Sequence, residues 1–410
     1  MKIVIIGGGF GGLNAAKALC NADADITLVD KTNHHLFQPL LYQVATSVLS
    51  PADIAEPLRS IFKKQKNCQV LMGEVTGVDK KEQIVTFTMP LRLPYDTLIV
   101  ATGATHSYFG HNEWEAFAPG LKTLKDALAI RENVLLAFEK AERHHDPEKQ
   151  QFYLTFVVVG GGPTGVEMAG AIAEMARKDI WREFRAIDAR RARIILIEAT
   201  DRILHTYPND LSEKARKSLE KLGVEVRLNT RVTDIKIDGL DLGAEHIATP
   251  NIIWAAGNSA SPLVQSLGAP LDRMGRVIVE SDLSIPGYPN IFVIGDCAHV
   301  VNPNGQPVPG IAPAAIQAGH YLAKVWNLSK EKRDPFVYVD RGTMATIGRG
   351  RAVADVFHLH VSGFLAWLLW GVIHIASLIN FRIKMMVLVS WLWNFFSYNR
   401  SVRLILDRFR

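Results

Sequence analysis

Cysteine is scarce in this sequence of 410 residues. The three cysteines, Cys20, Cys68 and Cys297, are odd in number and form no CxxC or similarly close pair. Disulfide frameworks and cysteine-rich metal sites both depend on suitably spaced sets of cysteines. The scarcity therefore predicts a reduced, intracellular protein, and we predict no metal site.

A secretory leader and low-complexity tracts are also missing. Only five residues separate Lys2 from Gly8, too few for the apolar region of a signal peptide, and no small-residue cleavage site follows. Hydrophobic residues make up 48% of the chain and charged residues 21%, so a globular protein is expected. The length suits two or three domains.

Charge is nearly balanced over most of the chain but not at its C-terminal end. Residues 341–410 carry nine Lys or Arg side chains against only Asp355 and Asp407, a net charge of +7, whereas the remainder is at −2. A nucleic-acid-binding protein is expected to carry a basic face on its folded body, so this distribution argues against one. A basic tail instead fits contact with anionic lipid.

A glycine-rich turn opens the chain. The β-branched run Ile3–Ile6 enters GGGFGG, and the helical stretch LNAAKALC follows. Gly7 allows the tight turn, Gly9 lets the backbone approach a pyrophosphate, and Gly12 permits close packing of helix on strand. The next strand, ITLVD, ends at Asp30, which can accept hydrogen bonds from ribose hydroxyls. Strand, turn, helix and acid fall in the order of a dinucleotide-binding fingerprint.

A second fingerprint begins at TFVVVG. Gly160, Gly162 and Gly165 lie in GGGPTG, a helical stretch follows, and the strand ARIILIE ends at Glu198 after a crossover lengthened by WREFRAIDARR. A carboxylate here favours a free 2′-hydroxyl and repels a 2′-phosphate, so NADH is expected over NADPH, although the nearby Arg202 leaves NADPH open. Two fingerprints imply two nucleotides, a flavin and a nicotinamide, without saying which site holds which.

Three further motifs complete an order that spans about 300 residues. They are LIVATGA (98–104), IIWAAG (252–257) and IFVIGDCA (291–298). This order resembles the two-dinucleotide-binding flavoproteins of the glutathione-reductase fold. The resemblance implies that the first fingerprint holds FAD and the second holds NAD(P)H, and that Asp296 contacts the flavin ribityl chain.

The stretch NHHLFQPLLYQVATSVLSP narrows the family. It lacks the redox cysteines that disulfide reductases and sulfide:quinone oxidoreductases place beside the flavin, so thiol chemistry is not expected there. Together with GGGPTGVEMAGAIAEMAR, VYVDRGTMATIGRGRAVAD and the tail motifs INFRIK and WLWNFF, it resembles the type II NADH:quinone oxidoreductases. That resemblance implies a single-subunit, non-pumping enzyme that uses FAD, NADH and a membrane quinone.

The resemblance also implies the site residues. FAD contacts would be Gly7, Gly9, Phe10, Gly12, Asp30, Lys31, Ala101, Thr102, Gly103 and Asp296. Nicotinamide-nucleotide contacts would be Gly160, Gly162, Thr164, Gly165, Glu198 and Gly257.

Two residues are implied for catalysis. Glu167 matches a family glutamate beside flavin and nicotinamide, and a surface-facing helix-start glutamate is the alternative. Gln317, in APAAIQAG, matches the second glutamine of the quinone-side AQxAxQ signature, where Pro313 replaces the first. A neutral amide suits a quinone carbonyl because it donates without a charge to desolvate; the alternative is a helix-surface glutamine.

The tail is apolar and aromatic. Val356–Phe381 contains no Asp, Glu, Lys or Arg, and four of the eight tryptophans lie in the tail. Its polar interruptions and closing basic residues are His358, His360, His374, Arg382, Lys384, Arg400, Arg403, Arg408 and Arg410. We expect it to lie in the headgroup layer at the cytoplasmic face of the inner membrane and to deliver the enzyme to its quinone. A spanning helix and a homodimer interface stay open as alternatives.

The predicted fold class is α/β, with two Rossmann-like dinucleotide-binding domains and a C-terminal amphipathic helical membrane-anchoring segment. The predicted segments are 1–115 for FAD, 116–264 for NAD(H), 265–335 for FAD again, and 336–410 for the membrane. A soluble-acceptor NADH oxidase or ferredoxin reductase is the first rival function. A membrane-attached redox sensor that binds the nucleotides structurally is the second.

Overall fold

The computed structural model describes residues 1–357, 359–397, 400 and 402–405. His358, Arg408 and Arg410 of the predicted tail lie outside the described residues. The chain divides into two compact units. Unit 1 comprises residues 1–36, 55–105 and 258–340, and unit 2 comprises 37–54, 106–257 and the described residues from 341 onward.

Strands and helices are numbered in chain order. The strands are β1 (Lys2–Ile6), β2 (Asp25–Asp30), β3 (His34–Leu36), β4 (Ala55–Pro57), β5 (Cys68–Met72), β6 (Val75–Asp79), β7 (Ile84–Phe87), β8 (Arg92–Pro94), β9 (Thr97–Val100), β10 (Ala104–His106), β11 (Thr155–Val159), β12 (Arg193–Ile197), β13 (Val224–Arg227), β14 (Asp234–Lys236), β15 (Gly239–Leu242), β16 (Glu245–Ala248), β17 (Asn251–Trp254), β18 (Asn258–Ala260), β19 (Val277–Ile278), β20 (Ser284–Ile285), β21 (Tyr288–Val293), β22 (Ala298–His299), β23 (Thr343–Gly348), β24 (Arg351–Val356) and β25 (Leu359–Gly363). The helices are α1 (Phe10–Ala18), α2 (Leu41–Ala45), α3 (Leu58–Phe62), α4 (Leu124–Glu142), α5 (Pro147–Tyr153), α6 (Pro163–Glu174), α7 (Asn209–Lys221), α8 (Ala312–Val325), α9 (Phe364–Ser377) and α10 (Phe381–Ser397).

Unit 1 is built on a six-stranded sheet in the order β20-β21-β9-β1-β2-β5. The apolar run of β1 lies between β9 and β2, parallel to both, and its residues from Ile3 onward are buried. Helix α1 packs against α8, where a Cβ at Gly319 would come 2.7 Å from the carbonyl oxygen of Gly11. The carboxyl ends of β1 and β2 therefore meet at the start of α1, where a nucleotide is expected in such a sheet.

Unit 2 contains a second parallel sheet, in the order β13-β12-β11-β17. Every residue of β11 is buried, as expected for a parallel strand covered on both faces. Helix α6 leaves the carboxyl end of β11, as α1 leaves β1. The predicted α/β fold class with two dinucleotide-binding sheets is confirmed.

The tail forms part of unit 2. Strands β23, β24 and β25 make an antiparallel sheet, and β23 lies so close to α6 that a Cβ at Gly170 would collide with the carbonyl of Ile347. Helix α9 packs on β24, with Ala366 fully buried against Ala354. The sequence treats 336–410 as a separate region; that functional division stays a prediction, while the contacts join these residues to the NAD-fingerprint sheet.

No helix among the described residues is both long enough and apolar enough to cross a membrane.

Candidate functional site

The first glycine-rich turn is held by the acid at the end of β2. The backbone N–H of Gly8 donates to Asp30 Oδ2 at 2.6 Å, and Thr32 donates to Oδ1 through its N–H and its hydroxyl, both at 2.7 Å. A Cβ at Gly12 would collide with the carbonyl of Gly7, so α1 packs directly on the turn. A Cβ at Gly9 would have no described atom within 4 Å, which leaves the backbone open to a pyrophosphate.

His35 is a residue of this turn that the sequence motifs do not reveal. Its side chain is buried, its Nδ1 lies 2.8 Å from the carbonyl oxygen of Gly8, and its ring packs edge-on against Phe10. Burial lowers the pKa of His35 to about 4, so the neutral ring donates to Gly8. Its only sequence signal is a histidine pair following Asp30, which is not distinctive.

The other FAD residues lie at neighbouring strand ends in unit 1. Ala101, Thr102 and Gly103 follow β9, and the carbonyl of Ala101 is close enough to Gly7 to exclude any Cβ there. Asp296 follows β21, with its carboxylate beside Gly310, and Lys31 is exposed next to Asp30. These predicted residues therefore converge on the carboxyl edge of the same sheet.

The second turn repeats the same construction in unit 2. Gly161 N–H donates to Glu198 Oε2 at 2.6 Å, while Thr200 donates to Oε1 through its N–H at 2.8 Å and its hydroxyl at 2.9 Å. The guanidinium of Arg202 bonds the carbonyl of His205 and the side chain of Asn209. Arg202 is thus engaged with neighbouring groups, and the preference for NADH over NADPH stays a prediction.

The glycines of this turn have the same roles. A Cβ at Gly165 would collide with the carbonyl of Gly160, and one at Gly162 would meet no described atom within 4 Å. Thr164 lies in the first turn of α6, and Gly257, at φ 74°, follows β17 beside the ring of Phe109. The residues of both turns fit a bound dinucleotide, and the assignment of FAD to unit 1 and NADH to unit 2 stays a prediction.

Glu167 does not face outward from α6. Its carboxylate accepts a hydrogen bond from the backbone of Thr346 on β23, and burial raises the pKa of Glu167 well above its usual range. The surface-glutamate alternative does not describe this position.

The side chain of Glu167 lines a pocket that we call the tail pocket. The pocket has about 640 Å³ of space and is partly open to solvent. Its walls come from helix α2 and the loop after it, helix α6, the end of β23, and helices α9 and α10. The lining residues are Tyr42, Gln43, Val48, Glu167, Ala171, Glu174, Thr346, Ile347, Gly348, Arg349, Trp367, Trp370, Trp391, Asn394, Phe395 and Arg400. An apolar, aromatic pocket with a few convergent polar groups is typical of a small-molecule site.

Two buried side chains on α2 connect the pocket to the tail. Gln43 donates to the hydroxyl of Tyr42 at 2.8 Å and accepts from the indole N–H of Trp391 at 2.7 Å. Burial, together with the nearby carboxyl of Glu167, raises the pKa of Tyr42 far above its usual range, so the phenol stays neutral. The sequence offers no local signal for these contacts.

A buried ion pair closes one end of the pocket. Arg400 lies 2.5 Å from Asp179 and donates to the carbonyls of Thr46 at 2.6 Å and Ala171 at 3.1 Å. The basic composition of the tail predicts a membrane surface for Arg400, whereas this residue is 3% exposed. That prediction is wrong for Arg400, while delivery of the enzyme to its quinone by the tail stays a prediction; tail residues also line the pocket.

Gln317 lies on α8 in unit 1. Its Nε2 donates to the carbonyl of Val339 and its Oε1 accepts from the N–H of Val339, both at 2.9 Å. Both amide groups are therefore engaged with one backbone segment. Its quinone role stays a prediction.

Each unit thus carries a glycine-rich turn that is backed by a carboxylate and follows a strand with parallel neighbours on both sides. This arrangement is typical of a protein that binds two dinucleotides. Residues 1–319 match the family model described as pyridine nucleotide-disulphide oxidoreductase, and residues 341–398 match the NDH2 C-terminal domain.

The relatives are more specific. The chain is 47% identical to the type II NADH:quinone oxidoreductase Ndh of Mycobacterium tuberculosis, over 99% of this chain and 90% of that protein. It is 30% identical to a type II NADH:quinone oxidoreductase of Staphylococcus aureus, over 88% and 91% of the two chains. The structure of NDH2 from Plasmodium falciparum in complex with NADH shares the fold, with a TM-score of 0.89 at 23% identity over 99% of both chains. The chain therefore belongs to the type II NADH:quinone oxidoreductases, within the pyridine nucleotide-disulphide oxidoreductase family.

Proposed function

We propose that this protein oxidises NADH with the help of FAD and reduces a membrane quinone, without pumping protons, and that the quinone headgroup binds in the tail pocket. The single observation that carries the pocket assignment is that the helix starting at the NAD fingerprint, α6, also supplies Glu167 to an apolar pocket walled by the tail. Family membership supports the reaction. The engaged Arg202 supports NADH as the donor.

The reaction balance assigns a task to Glu167. FAD, when bound, accepts the hydride of NADH and passes two electrons on to the quinone. A quinone takes up two electrons and two protons to become a quinol; the hydride accounts for two electrons and one proton, so solvent must supply the second proton. Glu167 lines the pocket, and burial raises its pKa and so favours the protonated form; we propose that it holds that proton beside the headgroup.

Gln317 remains a proposed quinone-side residue, but it does not line the tail pocket, so we propose that it contacts the quinone on its way to the pocket rather than in the headgroup position. To reach a quinone carbonyl, its amide would have to exchange at least one of its bonds to Val339. This exchange is its distinguishing feature, because a purely structural glutamine would keep both bonds.

Membrane docking is supported by the outward faces of α9 and α10. Large apolar side chains recur there at helical spacing, and all are at least about half exposed: Leu365, Leu368 and Val372 on α9, and Val389, Leu392 and Phe396 on α10. The opposite faces are buried through Ala366, Trp370, Ile383 and Val387. A folded protein rarely leaves so continuous an apolar surface to water. We propose that it enters the headgroup layer of the anionic cytoplasmic leaflet, which the basic tail favours.

Substitutions on this outward face test docking without disturbing the pocket. Leu368→Ser combined with Leu392→Ser should abolish sedimentation with anionic vesicles and quinone turnover in a bilayer, while NADH–ferricyanide activity stays at the wild-type level. The face would be assigned to dimerisation instead if the wild type elutes as a homodimer and the doubly substituted protein elutes as a monomer that still binds vesicles.

The reaction itself is tested by steady-state kinetics on the purified flavoprotein. NADH oxidation should rise strongly when a short-chain quinone is added, with one quinol formed for each NADH consumed. Turnover confined to ferredoxin or oxygen would favour the soluble-acceptor rival. Tight nucleotide binding without turnover would favour a redox sensor.

A further inference from the structure

The aromatic wall of the tail pocket contains two stacked indoles with different hydrogen-bonding states. Trp370 and Trp391 stack with ring centroids 5.1 Å apart, and His374 also stacks on Trp370, at 4.3 Å. The N–H of Trp391 is engaged by Gln43. The side chain of Trp370 is only 2% exposed, and its buried N–H has no hydrogen-bond acceptor among the described residues.

A buried indole N–H without an acceptor is unusual. An indole can donate but cannot accept, and folded proteins pair nearly all such buried donors, because an unpaired donor has lost its water without compensation. Trp370 belongs to the pocket lining, so a headgroup that reaches this N–H, which itself has almost no surface open to solvent, would supply the missing acceptor.

Asn394, one turn along α10 from Trp391, supplies the complementary group. Its Nδ2 donates to the carbonyl of Val48 at 3.4 Å, while its Oδ1 is buried and receives no hydrogen bond from the described residues. Asn394 also lines the pocket. The pocket therefore holds one unpaired donor and one unpaired acceptor from two different helices.

Resting on the function proposed above, we propose that the indole N–H of Trp370 donates to a carbonyl oxygen of the bound quinone and that Oδ1 of Asn394 accepts from a hydroxyl of the quinol. A quinone headgroup offers only acceptors, so it can satisfy Trp370 but not Asn394. A quinol hydroxyl can both accept and donate, so the reduced headgroup can satisfy both. Trp370 thus positions substrate and product, whereas Asn394 favours the product.

The two roles predict different kinetic signatures. Trp370→Phe keeps a stacked ring and removes only the N–H, so the KM for a short-chain quinone should rise roughly fivefold to tenfold, as for one lost neutral hydrogen bond. The kcat and the NADH–ferricyanide activity should change little. Asn394→Leu should instead weaken inhibition by the corresponding quinol by a similar factor and leave the KM for quinone nearly unchanged.

Infrared spectroscopy provides a readout that a structural role would not move. A quinone labelled with carbon-13 at one carbonyl allows the two carbonyl stretching bands to be told apart. In the wild-type complex, the carbonyl that accepts from Trp370 should absorb at a lower frequency than it does in free quinone. In Trp370→Phe, that frequency should return to the free value. Trp181→Phe is the matched control, since it removes an indole N–H from a side chain that stacks under Arg182 and Arg190 outside the pocket lining.

Each outcome decides the proposal. Unshifted carbonyl bands in the wild-type complex, or an unchanged KM and band in Trp370→Phe, would overturn the subsite while leaving the enzyme a quinone reductase. A wild-type protein that neither binds nor reduces quinone would overturn the proposed function and the subsite together. We expect Trp370→Phe to raise the KM for quinone and to return the carbonyl band to its position in free quinone. We expect neither change in Trp181→Phe.

Discussion

Replacing Glu198 with Gln should weaken the preference for NADH over NADPH. The carboxylate is fixed at the end of β12 by hydrogen bonds from Gly161 at 2.6 Å and from Thr200 at 2.8 and 2.9 Å, so it cannot swing away from an incoming ribose. A 2′-phosphate brings a charge of about −1.5 to −2 to this position. The variant removes the repulsion while keeping the size of the side chain.

The size of the effect follows from Coulomb's law. Two unit charges about 4 Å apart interact by roughly 4 kcal/mol at an effective dielectric constant of 20. Because Glu198 is half-buried, solvent and salt reduce this to about 1 to 2 kcal/mol. The ratio of kcat/KM for NADH to that for NADPH should therefore fall roughly 5- to 30-fold.

The assay compares the two nucleotides with ferricyanide as acceptor. Asp30→Asn is a matched control, since Asp30 holds the other turn through the same pattern of bonds to Gly8 and Thr32. It should loosen flavin retention and leave the nucleotide ratio unchanged. An unaltered ratio in Glu198→Gln, or an equal change in Asp30→Asn, would refute the reasoning.

Four further variants test the pocket and its supports. Glu167→Gln should lower quinone turnover on the order of 100-fold. We expect the wild type to lose rate at alkaline pH as Glu167, whose pKa burial raises, gives up its proton, and the pH–rate profile of Glu167→Gln should lack this loss. Gln317→Leu should slow reoxidation of the flavin by quinone in stopped-flow traces and leave reduction of the flavin by NADH nearly unchanged. Equal slowing of both steps would contradict a quinone-side role for Gln317. Burial lowers the pKa of His374 to about 4, so below pH 6.5 the unfolded chain binds a proton that the fold excludes, which should cost about 2 kcal/mol of stability between pH 6.5 and 5. His35 adds a similar loss, so urea titrations of His374→Phe should show an acid loss smaller than that of the wild type by about 2 kcal/mol. Arg400→Met should cost about 3 kcal/mol, because Asp179 would stay buried with the more distant Arg349, at 3.9 Å, in place of its closest cation; an unchanged urea midpoint would contradict the pairing.

The nucleotide cradles could be predicted from sequence because their signals are local. In each, an apolar strand, glycines at fixed spacing and an acid at the next strand end lie within one or two elements of each other. Gly7 and Gly160 have φ values of 106° and 110°, which side-chain-bearing residues rarely adopt, so the glycine pattern itself encodes the turn.

The tail pocket could not be predicted in this way. It depends on pairs that are far apart in sequence, such as Gln43 with Trp391 and Gly170 with Ile347, and no periodicity connects them. From its composition, the whole apolar tail is predicted to be a membrane anchor, because composition does not distinguish an outward Leu392 from a buried Trp370. Only packing against β23, β24 and α6 separates the face that lines the pocket from the face that is exposed.

The most direct test of electron transfer from NADH through the tail pocket is an anaerobic double-mixing experiment on the wild type and Ala171→Leu. Ala171 lines the pocket from α6, and a larger side chain there narrows the space for the headgroup. We predict that NADH reduces the flavin at the same rate in both proteins and that a short-chain quinone reoxidises it at least about tenfold more slowly in Ala171→Leu. Equal reoxidation rates in the two proteins would contradict the account, because the quinone would then be reduced elsewhere.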